Sequence, residues 1–425
     1  MSSPGFGAIR SALANDNYRY YATGNVLSHF GTWIQRVGMG WLAWELTESP
    51  FWLGAIGFAD MVPAMILAPF AGAIADRVNR LKGIQYTQVL LLLQALVLSV
   101  LAFTGTVSIW WLFGLALFRG IVVSFNQPMR FSLLPSLVER KDLPSAIAIN
   151  SISFNLARFL GPVLASGIIA LWGAGTAFAI NAASFLIFII TLYAIDLVIP
   201  PRDEKKPLRN IPREIGEGVQ YCLRTAGIAQ VFVILAVVAF FGRAFAELLP
   251  GFADGVFGWG VTGLGYFHAA MGCGAILGSL YLARRGMVAG MTRITAGAVA
   301  LVGISLMLFA GTGNFYFAVL CAGFAGLGLV VVGVGEQQLI QNSITGEVRG
   351  RVMSLYGLMM RGGTALGSLC MGILGEWLGI SWPVVIGGAM LLLLFAWMLS
   401  RRRYLEKSLE RTPDEDSFSG KPGFK

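Results

Sequence analysis

The sequence predicts an all-α polytopic membrane protein, with twelve transmembrane helices in two pseudo-symmetric six-helix bundles. Three observations carry that prediction. Apolar runs of about 20 residues recur along nearly the whole chain, each long enough to cross a ~30 Å hydrocarbon core as a helix. Of 425 residues, 56% are hydrophobic and only 12% charged. An ordinary soluble domain carries about 25% charged residues, so too little polar surface exists to cover a water-soluble body of this size. Finally, Gly54, Gly57, Gly72 and Gly161 fall on Gly260, Gly263, Gly278 and Gly367 at one shift of 206 residues, although Gly167 lands on Ile373, one past Gly372.

In chain order, the spans are predicted at 19–46, 51–75, 83–104, 107–134, 144–170 and 175–199, then 228–251, 261–283, 289–311, 314–342, 351–377 and 382–400. Ser49-Pro50, Gly105, Gly173, Pro200-Pro201, Gly286, Gly311, Gly313 and Gly379 punctuate their ends. The runs are apolar all round, not striped as in a soluble helix. They also lack the strict alternation of ~10-residue membrane strands. Residues 1–18 form a polar N-terminus. The first apolar segment is too long, and followed by too many others, to be a cleaved signal peptide. Spans 19–199 and 228–400 make the two bundles. Residues 200–227, polar and mixed in charge, read as a cytoplasmic linker with a short surface helix near 212–224. Residues 401–425 read as a disordered cytoplasmic tail.

Charge sets the orientation. Of 31 Lys and Arg, five lie well inside spans: Arg36, Arg119, Arg158, Arg243 and Arg361. The rest fall at the N-terminus, at 76–82, 130–141, 202–224, 284–293 and 349–351, or in the tail, while the alternate connections contain none. The excess of positive charge inside therefore places both termini in the cytoplasm of an inner-membrane protein. The net charge of +9 is absorbed by those loops, so no nucleic acid partner is expected.

Cys222, Cys273, Cys321 and Cys370 are scattered without CxxC spacing, and only two His residues exist. They read as packing residues, with no metal site and no cofactor. No HExxH, GxSxG or phosphate-binding loop appears, so the chain is not read as an enzyme or an ATPase.

Ionisable groups at mid-bilayer cost at least ~2.5–3.5 kcal/mol and usually face a wet cavity or a partner. In span 1, Asn25, His29, Thr32 and Arg36 share one helical face. Arg119, Asn126 and Arg130 repeat the pattern in span 4, as do Ser151, Asn155, Arg158 and Pro162 in span 5. Asn25, His29, Thr32, Arg36, Arg119, Asn126, Asn155 and Arg158, together with Arg243 and Arg361, are expected to line a substrate cavity; interhelical hydrogen-bond glue is the alternative. Arg243 and Glu247, four apart, are placed to pair on their own helix. The deep acids are Asp60, Glu247 and Glu336, the candidates for a proton-coupling group. Asp60 leads because no cation lies within one turn of it on its own helix. Its alternative role is as structural partner of Arg36 or Arg243. Five deep Arg against three acids point to a cavity that favours an anionic substrate.

After the second span comes Gly72-Ala73-Ile74-Ala75-Asp76-Arg77-Val78-Asn79-Arg80-Leu81-Lys82. Gly, three residues, Asp-Arg and a basic cluster resemble the loop signature of the major facilitator superfamily. The resemblance implies the major facilitator fold and a cytoplasmic gate. Gly72 would allow close helix approach. Asp76 would face the start of span 11 near Gly350 to Ser354, and Arg77 and Arg80 would tie the loop to neighbouring helix ends. Asn79 stands where the family usually has Gly; Asn tolerates a left-handed turn. The matching second-half loop, Leu282, Arg284 and Arg285, lacks the acid, so one lock is expected. A merely basic loop is the alternative.

A finer resemblance runs through Asn126-Gln127-Pro128, Leu133-Leu134-Pro135, Leu143-Pro144-Ser145-Ala146, Asn150, Gly161-Pro162 and Arg349 to Gly357. These are similar to the branch of the superfamily that holds the enterobactin exporter and the transmembrane secretion effectors. It implies export of a small molecule driven by a proton gradient; the leading reading is an exporter of a small anionic or amphipathic molecule, siderophore-like or drug-like, working by alternating access as a monomer with membrane lipid around it. Gly161-Pro162 also resembles the core of an antiporter signature without its upstream glycines, and a proline kink in a packed helix is the alternative. A lipid or lysolipid flippase, an importer of the same fold, and a transporter-like scaffold or receptor are the competing functions.

Overall fold

The computed structural model describes residues 6–75, 77–197, 211–225, 227–344 and 348–410. Every regular element among them is helical. In order they are α1 (Phe6–Ala14), α2 (Asp16–Thr47), α3 (Pro50–Ala75), α4 (Arg80–Phe103), α5 (Ile109–Leu133), α6 (Leu143–Tyr193), α7 (Ile211–Arg224), α8 (Ile228–Val237), the single turn α9 (Leu249–Gly251), α10 (Gly260–Arg285), α11 (Met291–Gly311), α12 (Phe315–Ser343), α13 (Arg349–Leu378), α14 (Ser381–Ser400) and α15 (Arg402–Leu409).

Ten helices are long and apolar enough to cross a membrane among the described residues. Two further spans complete the predicted twelve. α6 holds 51 residues, and Gly173 at φ 77° divides it into two. Only glycine takes that conformation freely, which is why the break falls there. α2, with 32 residues, is long enough to span but carries the polar face from Asn25 to Arg36. Start signals are local: Asn15, Asn79, Ser108 and Asn314 each accept a backbone N–H in the first turn of the helix they precede.

The surface is inverted relative to a soluble protein. Leu93, Val100, Ile152, Leu277 and Leu393 are exposed along the spans. Trp110, Trp172, Tyr316, Trp377 and Trp382 are exposed at the ends that meet the charge-free connections. Amphipathic rings favour that headgroup depth.

The chain divides into two compact units. The first holds Met1–Glu48, Ala59–Leu208 and Trp259–Gly265, and the second holds Ser49–Phe58, Arg209–Gly258 and Tyr266–Lys425. The first ten residues from Ser49 thus cluster with the second unit, although they begin the second span. In the first unit, α2 and α4 both pack on α6, and α5 packs on α4. Its interior is not purely apolar. Asn181 Nδ2 donates to Gln35 Oε1 at 2.7 Å, and Gln35 Nε2 donates to Gln94 Oε1 at 2.9 Å. These three fully buried amides join α6, α2 and α4, and such bonds contribute ~0.6–2 kcal/mol each inside a bilayer.

In the second unit, α11 packs on α12 and α14. Phe252, Phe257, Phe267 and Phe315 gather edge-on around Phe309 and one another, with centroids 4.9–6.2 Å apart. Each such pair is worth about 0.5–1.5 kcal/mol beyond its burial. Small residues bring α10 and α12 together: a Cβ on Gly274 would strike the Gly323 carbonyl. One glycine pair also gives the sequence repeat a structural counterpart. A Cβ on Gly161 would lie 2.7 Å from Trp33 Cβ, and a Cβ on Gly367 would strike the Phe240 carbonyl oxygen. The same inter-helix approach is therefore built once in each unit.

Two expectations change. The seventh span is not one α-helix: after α8, residues Val238–Arg243 form a π-helix, Ala244–Leu248 a 3-10 helix, and Phe252–Val256 a second π-helix. Pro250 and Gly251 contribute to this irregularity. The tail is helical over Arg402–Leu409, where disorder is predicted, because Leu405 and Leu409, one turn apart, are both buried. The remainder of the tail and the linker residues 198–210 lie outside the described residues. The predicted surface helix near 212–224 is α7.

Candidate functional site

The first unit assembles a polar junction around Arg130, in the last turn of α5. Its Nη1 donates to Asn25 Oδ1 at 2.9 Å and its Nη2 to Ser28 Oγ at 3.2 Å. Its guanidinium carbon lies 4.7 Å from the centre of the Phe188 ring, a cation–π contact. Asn25 Nδ2 donates to Asn150 Oδ1 at 2.9 Å and lies 3.2 Å from His29 Nε2. The His29 ring packs edge-on to Phe154, centroids 5.4 Å apart. Three helices, α2, α5 and α6, thus meet at one planar cation whose fork fits two acceptors at once.

The other predicted cavity residues distribute differently. Thr32 donates to the Ser28 carbonyl of its own helix at 2.7 Å. Arg36 sits over the Trp33 ring at 5.5 Å and donates toward Met61 Sδ at 3.9 Å. Asn126 Nδ2 donates to Thr87 Oγ1 at 2.6 Å and is buried, so it fastens α5 to α4. Asn155 back-bonds to the Ser151 carbonyl at 2.8 Å, and both Asn155 and Arg158 are exposed on α6. The stripes of α2 and α5 therefore meet at Asn25 and Arg130, while α6 reaches the junction through Asn150, outside its own stripe of Ser151, Asn155, Arg158 and Pro162. Gly161 and Pro162 are buried, and Gly161 is the residue that lets α6 approach Trp33 of α2.

Arg119 of α5 forms an ion pair with Asp60 of α3, both side chains almost fully buried. The cation that meets Asp60 is neither Arg36 nor Arg243, the two partners the sequence proposes. Asp60 lies one helix away from Arg119, a pairing that spacing along a single helix cannot reveal.

In the second unit, Arg243 does not pair with Glu247. Its Nη2 reaches the Leu329 carbonyl of α12 at 3.5 Å, and a Cβ on Gly333 would lie 2.6 Å from it. The π and 3-10 windings at 238–248 cancel the four-residue register on which the expected pair depends. Glu247 instead lies against Gly57, whose Cβ would be 3.1 Å from Glu247 Cγ. Glu336 stands three residues beyond Gly333 on α12. It is fully buried, and neither carboxylate oxygen has a hydrogen-bond partner among the described residues. Arg243 Nη2, packed against Gly333 one turn earlier on α12, is a cation on that side. Arg361 lies half-buried on α13.

The loop after α3 is placed in part. Asp76 lies outside the described residues. Arg80 Nη1 donates to the Ser132 carbonyl at 3.2 Å, tying the loop to the end of α5. Arg77 is exposed and caps the α3 end through its backbone N–H to the Ile74 carbonyl at 2.9 Å. Among the described residues, a Cβ on Gly72 would meet nothing within 4 Å. Asn79 takes no left-handed turn: at φ −64° it caps α4, accepting from Lys82 N–H at 3.1 Å.

In the sequence Arg130 stands among the loop-end cations, and nothing there singles out Ser28, Gln35, Gln94 or Asn181. For Arg130 and Asn150 a signal existed, in the polar face and in the motif. The buried amides carry none, since one amide per helix has no spacing to read.

Comparisons with known proteins bear on the family and the fold. The family model for transmembrane secretion effectors matches residues 8–419. The staphyloferrin A transporter of Staphylococcus aureus is 26% identical over 85% of this chain and 90% of its own length. The enterobactin exporter EntS of Escherichia coli is 24% identical over 82% of each, and macrolide efflux protein A of Streptococcus pyogenes is 22% identical over 82% of this chain and 86% of its own. Among solved structures, a bacterial homologue of the human lysosomal transporter Spinster superposes with a TM-score of 0.73 at 16% identity, covering 93% of this chain and 99% of that one.

Proposed function

The chain belongs to the transmembrane secretion effector family of major facilitator transporters, and from that premise we propose that it exports a small anionic or amphipathic molecule, siderophore-like or drug-like, by proton antiport. It works by alternating access, as a monomer in the cytoplasmic membrane, with both termini in the cytoplasm. The family transports small molecules and is not enzymatic. Relatives named an enterobactin exporter and a macrolide efflux protein support the export direction, and these with the staphyloferrin A transporter support the substrate class.

The observation that carries the proposal is Glu336. A carboxyl group closed off from water and from hydrogen-bond donors is costly as an ion. Whether it holds a proton depends on whether water or the nearby Arg243 reaches it, which is the property a coupling group needs. Asp60, the first choice from the sequence, is held by Arg119 and is assigned here to structure. Five deep arginines against three acids support an anionic substrate. Arg130, joined to Asn25 and Ser28, adds a sixth polar anchor at the end of α5.

The test starts in cells. A strain lacking the protein should retain a compound that the parent strain releases. Everted vesicles carrying the protein should then accumulate that compound when their interior is made acidic, and stop when the gradient is collapsed. Accumulation that ignores the gradient would remove proton antiport, and accumulation by intact cells would reverse the direction.

A further inference from the structure

At the basic ends of α11 and α14 the two helices leave a groove of about 150 Å³. Ala296, Gly297, Phe395 and Leu399 line it, and Arg293 and Arg402 stand at its rim. A Cβ on Gly297 would meet nothing within 4 Å, so the floor is open at that point. The two arginines are held in place. Each donates its Nε to the same Oε1 of Glu406, at 2.7 and 2.8 Å. Their side chains remain 59% and 42% exposed, and the shared carboxylate oxygen leaves both pairs of Nη groups free of it.

The support beneath them is also fixed. Glu410 accepts from the Gly290 N–H at 2.6 Å and from the Thr292 N–H at 2.9 Å, at the start of α11. Asn342 Nδ2 and Ser343 Oγ of α12 donate to the Leu409 carbonyl at 3.0 and 3.2 Å. Leu405 and Leu409 are buried beneath α15. Glu406 and Glu410 stand against Arg293 and Arg402, and Arg401, Arg403 and Lys407, exposed beside them, leave this end positive.

Both helices are membrane spans, so their basic ends lie where hydrocarbon gives way to headgroups. An apolar trough running into the bilayer from a fixed pair of guanidiniums matches the two parts of a lipid. Arg binds phosphate oxygens through planar, paired donors, and basic pockets between spans are attractive to anionic headgroups. We propose that this groove binds an anionic phospholipid, with its phosphate on Arg293 and Arg402 and an acyl chain along Ala296, Gly297, Phe395 and Leu399. The bound lipid would fasten α15 to α11 and α14.

The full chain, purified in a mild detergent, tests this through lipid retention in native mass spectrometry and thermal unfolding during titration. Phosphatidylglycerol should be retained and should raise the unfolding temperature, whereas phosphatidylcholine and inorganic phosphate should do neither. R293Q/R402Q should weaken phosphatidylglycerol binding about thirtyfold, since the two guanidinium contacts to the phosphate together contribute ~2 kcal/mol. Gly297→Leu keeps both arginines and should also weaken it by filling the trough. R401Q/R403Q, which removes the same charge outside the groove, should bind as the parent does. Equal loss in R401Q/R403Q would reduce the effect to diffuse charge, and equal stabilisation by inorganic phosphate would make it an ion site. Undiminished binding by Gly297→Leu would remove the acyl trough; that variant also decides the matter if R293Q/R402Q does not fold.

Discussion

Arg119 of α5 and Asp60 of α3 share an ion pair from which surrounding atoms exclude nearly all solvent, with side chains 7% and 11% exposed. A buried pair is a weak source of net stability, but removing one partner strands the other charge, at a cost of about 3–5 kcal/mol. Asp60→Asn or Arg119→Gln alone should therefore lower thermal stability strongly. The double variant should recover much of the loss, because no bare charge is left. A thermal-shift series on the purified single and double variants measures this; a single variant as stable as the parent would deny the pair its structural role.

Gly161 carries a steric prediction. A Cβ there would come within 2.7 Å of Trp33 Cβ. Gly161→Val should cost about 1–3 kcal/mol through overpacking. Trp33→Ala should cost stability by itself yet ease the Gly161→Val defect, so that the two effects do not add. Additive losses in the unfolding temperature would mean the helices do not meet at this point.

Much of the architecture is legible in the sequence because bilayer chemistry is strict. Span length, Gly173 and the arginine-free connections each follow from the cost of leaving backbone or charge in hydrocarbon. The partners of polar residues are less legible. Asn25, His29, Thr32 and Arg36 do share a face, but helix periodicity cannot say that Asn126 turns to Thr87, or that Asp60 turns to Arg119. Arg243 and Glu247 fail for a different reason: their four-residue spacing assumes an α-helix, and the backbone there is π and 3-10. The tail helix had a readable signal in Leu405 and Leu409, overridden by the polarity around them.

Glu406 gives a pH prediction outside the membrane spans. Hydrogen bonds from Arg293 and then Arg402 hold its carboxyl below the ordinary value of 4.5. A depressed folded value means its contribution to docking α15 is present above the ordinary value and is lost as pH falls through the folded one. Hydrogen exchange in α15 should therefore be slow at neutral pH and rise only in acid below 4.5. Glu406→Gln should show faster exchange throughout. Release of α15 that begins near neutral pH would contradict this assignment.

Coupling through Glu336 is tested most directly in proteoliposomes that report internal pH while the exported compound is supplied. In the parent protein, adding the compound should dissipate an imposed proton gradient. Glu336→Gln should abolish that proton movement while still exchanging labelled for unlabelled compound across the membrane, since the rest of the transport cycle is intact. Undiminished proton movement in Glu336→Gln would contradict the account.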